Sequence, residues 1–124
     1  MSDVKRILFV DDDPNVLSGL RRMLHGMRGT WKMEFVTKAS DALKVMETIA
    51  YDVVISDLRM PDMDGVQFLQ TVRDKHPEVI RFMLSGYMDK DLRTKAAQCV
   101  HQFVSKPCQA EQLRTLVTLS LIHI

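Results

Sequence analysis

Five short apolar runs, each followed by a longer stretch of helical spacing, alternate along the chain, and that alternation leaves few folds open. The runs are Arg6 to Val10, Lys32 to Val36, Asp52 to Ser56, Val79 to Leu84 and His101 to Val104. Between them Leu17, Leu20, Leu24 and Met27 recur at three- and four-residue steps, as do Ala42, Val45, Met46 and Ile49. Val66, Leu69 and Val72 mark a third helix, and Leu113, Leu116, Val117 and Leu121 a fifth. The fourth, expected over Asp89 to Gln98, offers only Leu92, Ala96 and Ala97 as apolar anchors, which makes it the weakly held element. Asp13 before Pro14 reads as an N-cap with proline in the first turn, and Asp64 as the cap of the third helix. Five βα units imply an α/β fold, a single doubly wound (βα)5 domain whose parallel sheet carries helices on both faces through right-handed crossovers.

The 124 residues, 46% of them hydrophobic, suffice for one closed core and predict one domain over residues 1–124. Seventeen Lys and Arg stand against sixteen Asp and Glu, so no global field favours direct binding to nucleic acid or to an anionic membrane. The run Ile7-Leu8-Phe9-Val10 is too short for a signal-peptide core or a membrane span, and a cytoplasmic location is expected. Cys99 and Cys108 lack zinc-ligand or disulfide-framework spacing and read as idle thiols.

In an open parallel sheet the ligand site lies beyond the carboxyl ends of the strands. The first run ends in Asp11-Asp12, the third in Asp57, the fourth in Ser85, and the fifth just before Lys106. Taken singly, each has an ordinary explanation: a strand-end Asp such as Asp13 is a cap, Ser85 before Gly86 is turn chemistry, and Lys106 is a solvated charge. Their joint placement on successive strand ends argues for a shared site. Crowded carboxylates repel and raise one another's pKa unless a cation neutralises them. Oxygen-only ligands that also bridge to phosphate suit Mg²⁺, with Asp12 and Asp57 as direct ligands and Asp11 acting largely through water. Lys106 adds a second positive charge and Ser85 a hydrogen-bond donor for a phosphoryl group, and Asp57, on the middle strand, is the candidate nucleophile.

From end to end the chain resembles the response-regulator receivers of two-component signalling. Val10-Asp11-Asp12-Asp13 is similar to that family's acidic pocket, and Ser56-Asp57-Leu58-Arg59-Met60-Pro61-Asp62-Met63-Asp64-Gly65 to its phosphoacceptor loop. Leu84-Ser85-Gly86 matches the switch hydroxyl, and Ser105-Lys106-Pro107 the lysine followed by proline. The resemblance implies strand order 2-1-3-4-5, phosphorylation of Asp57, Mg²⁺ organised by Asp11 and Asp12, and the Arg59 backbone carbonyl as a further ligand. It also implies a switch in which Ser85 moves toward the phosphoryl group and Phe103, three residues before Lys106, rotates inward. The surface of the fourth helix, fifth strand and fifth helix would then re-form. A cis Lys106-Pro107 peptide is expected on the same grounds.

The implied partners are a histidine kinase or phosphotransfer protein, a second copy meeting that surface, and an output domain in a longer parent. His101 through Cys108 resembles receivers joined to HD-type output domains, including cyclic-di-nucleotide phosphodiesterases. Such a domain is a switch and not a turnover enzyme. A phosphohydrolase of the haloacid-dehalogenase type would need a second Asp where Arg59 stands. An unphosphorylated interaction module would not need the acid pair, acceptor and lysine together. A flavodoxin-like redox carrier would need a phosphate-cradling loop after the first strand, where Asp11-Asp12 would instead repel phosphate.

Arg59 and Tyr87, each two residues past a key side chain, stand where the family tunes water access to the acyl phosphate. Replacing both with small or acidic residues is expected to speed dephosphorylation, measured as loss of phosphoprotein with time. An unchanged rate would contradict a role for their bulk.

Overall fold

The computed structural model describes residues 4–58, 60, 63–85, 90–106 and 109–122, and of residues 90, 92, 93 and 110 only the backbone. Its strands are β1 (Lys5–Val10), β2 (Trp31–Val36), β3 (Val53–Asp57), β4 (Ile80–Ser85) and β5 (Gln102–Ser105), all parallel, in the order β2-β1-β3-β4-β5. The helices are α1 (Pro14–Met23), α2 (Ala39–Met46), α3 (Gly65–Lys75), α4 (Lys90–Ala96) and α5 (Ala110–Ile122). This is the doubly wound sheet the alternation predicts.

Because the central strands are covered on both sides, alternate residues feed two separate cores. Leu8, Val10, Val54 and Met83 point to one face, where Ala42 and Met46 of α2, Phe68 and Val72 of α3, and Ala96 of α4 pack on them. Ile7, Phe9, Ile55, Phe82, Leu84 and Val104 point to the other, against Leu17 and Leu20 of α1 and Leu113 and Val117 of α5. A one-residue slip in any central strand would exchange these sets, so the register is strongly fixed.

Both expected caps form. The Asp13 side chain accepts a hydrogen bond from the Asn15 N–H at 2.9 Å, with Pro14 opening α1, and Asp64 accepts from the Gln67 N–H at 2.8 Å. Three helices end earlier than their apolar spacing suggests. Met27 belongs to a 3₁₀ turn (His25–Met27) after α1, and Ile49 lies beyond α2, yet each still packs on its core. The cause is local tightening into i→i−3 bonds, Met27 N–H to Leu24 C=O and Thr48 N–H to Val45 C=O, which keeps the next apolar side chain inward. α4 ends at Ala96, which is buried, with Cys99 buried just after it, while Ala97 is exposed.

The far end of β4 is tied down by Arg81, a buried side chain that donates to the carbonyls of Cys99 (2.7 Å), Val79 (2.9 Å) and Pro77 (3.3 Å). His101 extends the β4–β5 pairing: its N–H donates to the Arg81 carbonyl at 2.8 Å, and its Nδ1 accepts from the Arg81 N–H at 2.9 Å. Partial burial, and then the nearby Arg81 charge, hold the imidazole pKa below its usual 6.5. Folding therefore prefers the neutral ring, and its stabilisation is full above pH 6.5 and shrinks as pH falls through 6.5 toward the folded value. His101→Asn, which keeps an acceptor but does not titrate, is expected to flatten the fall in urea midpoint between pH 7.5 and 5.5. Equal pH dependence in the two proteins would contradict this.

Candidate functional site

β1 and β3 run side by side, with Val10 paired to Ser56, so Asp11 and Asp57 emerge together at the carboxyl edge of the sheet. Asp57 is the last residue of β3, and the following Leu58 N–H donates to the Leu84 carbonyl at 3.1 Å, fixing the strand end against β4. On the other side the Asp11 N–H donates to the Val36 carbonyl at 3.1 Å. The loop past Asp57 is closed by the Gly65 N–H, which donates to the Leu58 carbonyl at 2.7 Å. A Cβ at Gly65 would collide with the Asp57 carbonyl oxygen and stand 2.9 Å from the Leu58 Cα, so glycine is required for α3 to start this close. The sequence marks Asp64-Gly65 as a helix start but gives no sign of this contact with the acceptor's own backbone.

Carboxylate oxygens of Asp11, Asp12 and Asp57 all lie within 4.8 Å of one another. Asp11 and Asp57 are buried (2% and 8% exposed), whereas Asp12 faces solvent. Lys106, delivered by β5 and secured by its N–H to the Ser85 carbonyl at 3.0 Å, reaches between the two buried acids. Its Nζ lies 2.5 Å from Asp57 Oδ1 and 3.4 Å from Asp11 Oδ2. Burial would lower the lysine's pKa, but the hydrogen bond and charge of Asp57, reinforced by Asp11, outweigh it and hold the ammonium above its ordinary range. Asp11 is shifted the other way for an acid. Burial chiefly, and the charge of Asp57, raise its pKa against the opposing pull of the Asp13 N–H (3.0 Å from Oδ1) and of Lys106. Among the described residues, one ammonium thus stands against three crowded carboxylates.

Ser85 ends β4 at 2% exposure, and its Oγ has no hydrogen-bond partner among the described residues. A buried hydroxyl left unpaired costs about 1–3 kcal/mol, and a hydrogen bond to an acceptor at this edge would remove that cost. Phe103 is half-buried, pairs in register with Met83, and packs against the core on the α2–α3–α4 face. The geometry brings together Asp11, Asp12, Asp57 and Lys106, and sets Ser85 at the end of β4, next to the strand that ends in Asp57. Arg59, Tyr87, Pro107 and Cys108 lie outside the described residues, and with them the carbonyl ligand, the two expected lifetime residues and the peptide before Pro107. A cavity of about 410 Å³ also touches Lys106, but its other walls are largely α1 (Val16, Gly19, Leu20, Met23) and Leu84. Walls that apolar do not suit a phosphoryl group, whose chemistry belongs to the acidic edge.

Among the described residues, a buried donor without a partner, three carboxylates against one ammonium and oxygen-only ligands fit a divalent cation together with a phosphoryl group. The comparisons agree with that geometry. The response regulator receiver domain model matches residues 7–118, and the chain belongs to that family. It is 35% identical over 115 residues to the hydrogenase transcriptional regulatory protein HoxA of Bradyrhizobium diazoefficiens, covering 91% of this chain and 23% of that protein. It is 30% identical over 125 residues to the regulatory protein AtoC of Escherichia coli, covering 98% and 26% respectively. The chain thus spans about a quarter of the length of these curated relatives. Among solved structures it is similar to the signal receiver domain of an HD domain-containing protein from Pseudomonas fluorescens Pf-5, with a TM-score of 0.91 and 27% identity, covering 99% of this chain and 90% of that one. Among the described residues no helix is long and apolar enough to cross a membrane.

Proposed function

We propose that the chain is a phosphorylation switch that accepts a phosphoryl group on Asp57. The observation that carries the reading is the Lys106 ammonium held between Asp57 and Asp11 beside a third carboxylate, with the Ser85 hydroxyl buried and unpaired on the neighbouring strand. In the transfer an Asp57 carboxylate oxygen bonds to phosphorus while the bond from phosphorus to the donor's nitrogen or oxygen breaks, its electron pair leaving with the donor. Lys106 neutralises charge on the transferred group, and Ser85 Oγ–H donates to one of its oxygens. Asp11, Asp12 and Asp57 would hold Mg²⁺, which supplies the positive charge that lets a phosphoryl oxygen approach this acidic edge. The Arg59 carbonyl is the proposed further ligand.

A histidine kinase or phosphotransfer protein is the proposed donor, met in the cytoplasm. The reaction is a single self-modification and its reversal, so the domain is a switch and not a catalyst acting on an external substrate. Phe103 is well placed to follow Ser85, since it pairs with Met83, two residues before Ser85 on β4, and packs on the core that also holds Ala96 of α4. Reorganisation of the α4–β5–α5 surface would carry the signal, and α5 supports a meeting of two copies there, since Leu119 and Ile122 are exposed. The output domain would lie in a longer parent. An HD-type output draws support from the likeness to the Pseudomonas fluorescens receiver, whereas the curated relatives are named as regulators.

Incubation with acetyl phosphate and Mg²⁺ is expected to add one phosphoryl group, read by intact mass, that is acid-stable, base-labile and absent from Asp57→Asn. The treated protein is expected to sediment faster than the untreated one. Mass is the proper readout because Trp31 lies at the amino end of β2, five residues (roughly 17 Å) from the sheet's carboxyl edge. No adduct in the presence of Mg²⁺ would contradict the switch, and an adduct without a change in sedimentation would contradict the dimer.

A further inference from the structure

Along the edge strand β2, the end of α1, the 3₁₀ turn and the segment from Trp31 to Phe35 border a groove of about 320 Å³. Arg21, His25, Arg28 and Lys32 line it, with no acidic side chain among its walls. None of these four is ion-paired among the described residues, whereas Arg6, Arg73, Lys106 and Arg114 each meet a carboxylate. The nearest acid on β2, Glu34, is already engaged by the Tyr51 hydroxyl at 2.7 Å and by Arg6 at 3.7 Å.

The chain also fixes one of these cations in place. The Arg21 guanidinium lies 4.6 Å from the centroid of the Phe35 ring, and that ring is stacked on the buried Phe9 at 4.7 Å and 10°. A guanidinium held over an aromatic face is partly ordered in advance, so it loses less freedom on forming paired bonds to an anion. Placement at the last turn of α1 would favour Arg21 and Arg22 through the helix dipole alone. That does not account for Arg28 and Lys32, which come from other segments and converge on the same groove.

We propose that this groove is an anion site for a compact phosphorylated small molecule, of the size and charge of a nucleoside polyphosphate. Three permanent cations and a histidine around so small a volume call for several negative charges close together. An extended acidic peptide spreads its charges at roughly 3.3 Å per residue and would match them less well. The Phe35 face is already covered by Arg21 and Trp31 is buried, so recognition falls on the phosphates and not on base stacking against an aromatic ring.

The test is calorimetric titration of the 124-residue chain with ATP and with pyrophosphate, in EDTA and low salt, so that a metal at the acidic edge plays no part. Saturable one-to-one binding is expected, weakened about tenfold or more by Arg28→Gln and by Lys32→Gln and unchanged by Asp57→Asn. Both groove residues are exposed, and circular dichroism melting of each variant shows whether the fold is intact. No saturable binding, binding indifferent to the groove variants, or tighter binding of single-stranded oligonucleotides than of ATP would each overturn the proposal. Loss of binding in Asp57→Asn alone would place the ligand at the acidic edge instead.

Discussion

The ion pair of Lys106 with Asp57 and Asp11 is the interaction on which the working parts of this molecule depend. Two buried carboxylates and a third at the surface stand close enough to repel, and Lys106 reaches over from β5 to both buried ones. Pairing of that kind sets one ammonium against three carboxylates among the described residues, and burial chiefly, with the charge of Asp57 beside it, raises the pKa of Asp11. A site that is balanced when empty would have little reason to bind a cation or an additional phosphate. This one is held together without being satisfied.

Everything else about the fold serves to bring those groups to one edge. The parallel sheet sends all strand ends the same way, and burial on both faces locks each strand's register, so Asp11, Asp57, Ser85 and Lys106 arrive at fixed heights. Gly65 lets α3 begin against the backbone of Asp57, and Leu58 is clamped to β4. Ala96 of α4 and the half-buried Phe103 of β5 pack on the same face of the sheet as Met83, two residues before Ser85 on β4.

Strands buried on both faces write themselves into the sequence as continuous apolar runs, which is why β1 and β3 were legible almost to the residue. Asp13 with Pro14, and Asp64, were legible because capping needs those side chains at those places. The carboxylate cluster could be read because topology alone sends the ends of β1 and β3 to a common edge. Helix ends could not: Met27 and Ile49 keep the apolar spacing while the backbone has already tightened into 3₁₀-type turns. Three-dimensional facts with no periodic signature were also hidden, among them the unpaired Ser85 Oγ, the carbonyl-bound Arg81, the contact that demands Gly65, and the Arg21–Phe35–Phe9 stack.

The central claim, that the acidic edge is folded but short of positive charge, is tested most directly by equilibrium urea unfolding of wild type and Asp12→Asn with and without Mg²⁺. Removing one charge without changing side-chain shape should stabilise the protein in EDTA. Millimolar Mg²⁺ should stabilise wild type strongly and the variant little, in proportion to its occupancy of the folded site. Should Asp12→Asn be less stable than wild type in EDTA, or should Mg²⁺ stabilise both equally, the carboxylates would not be repelling one another and the account would be wrong.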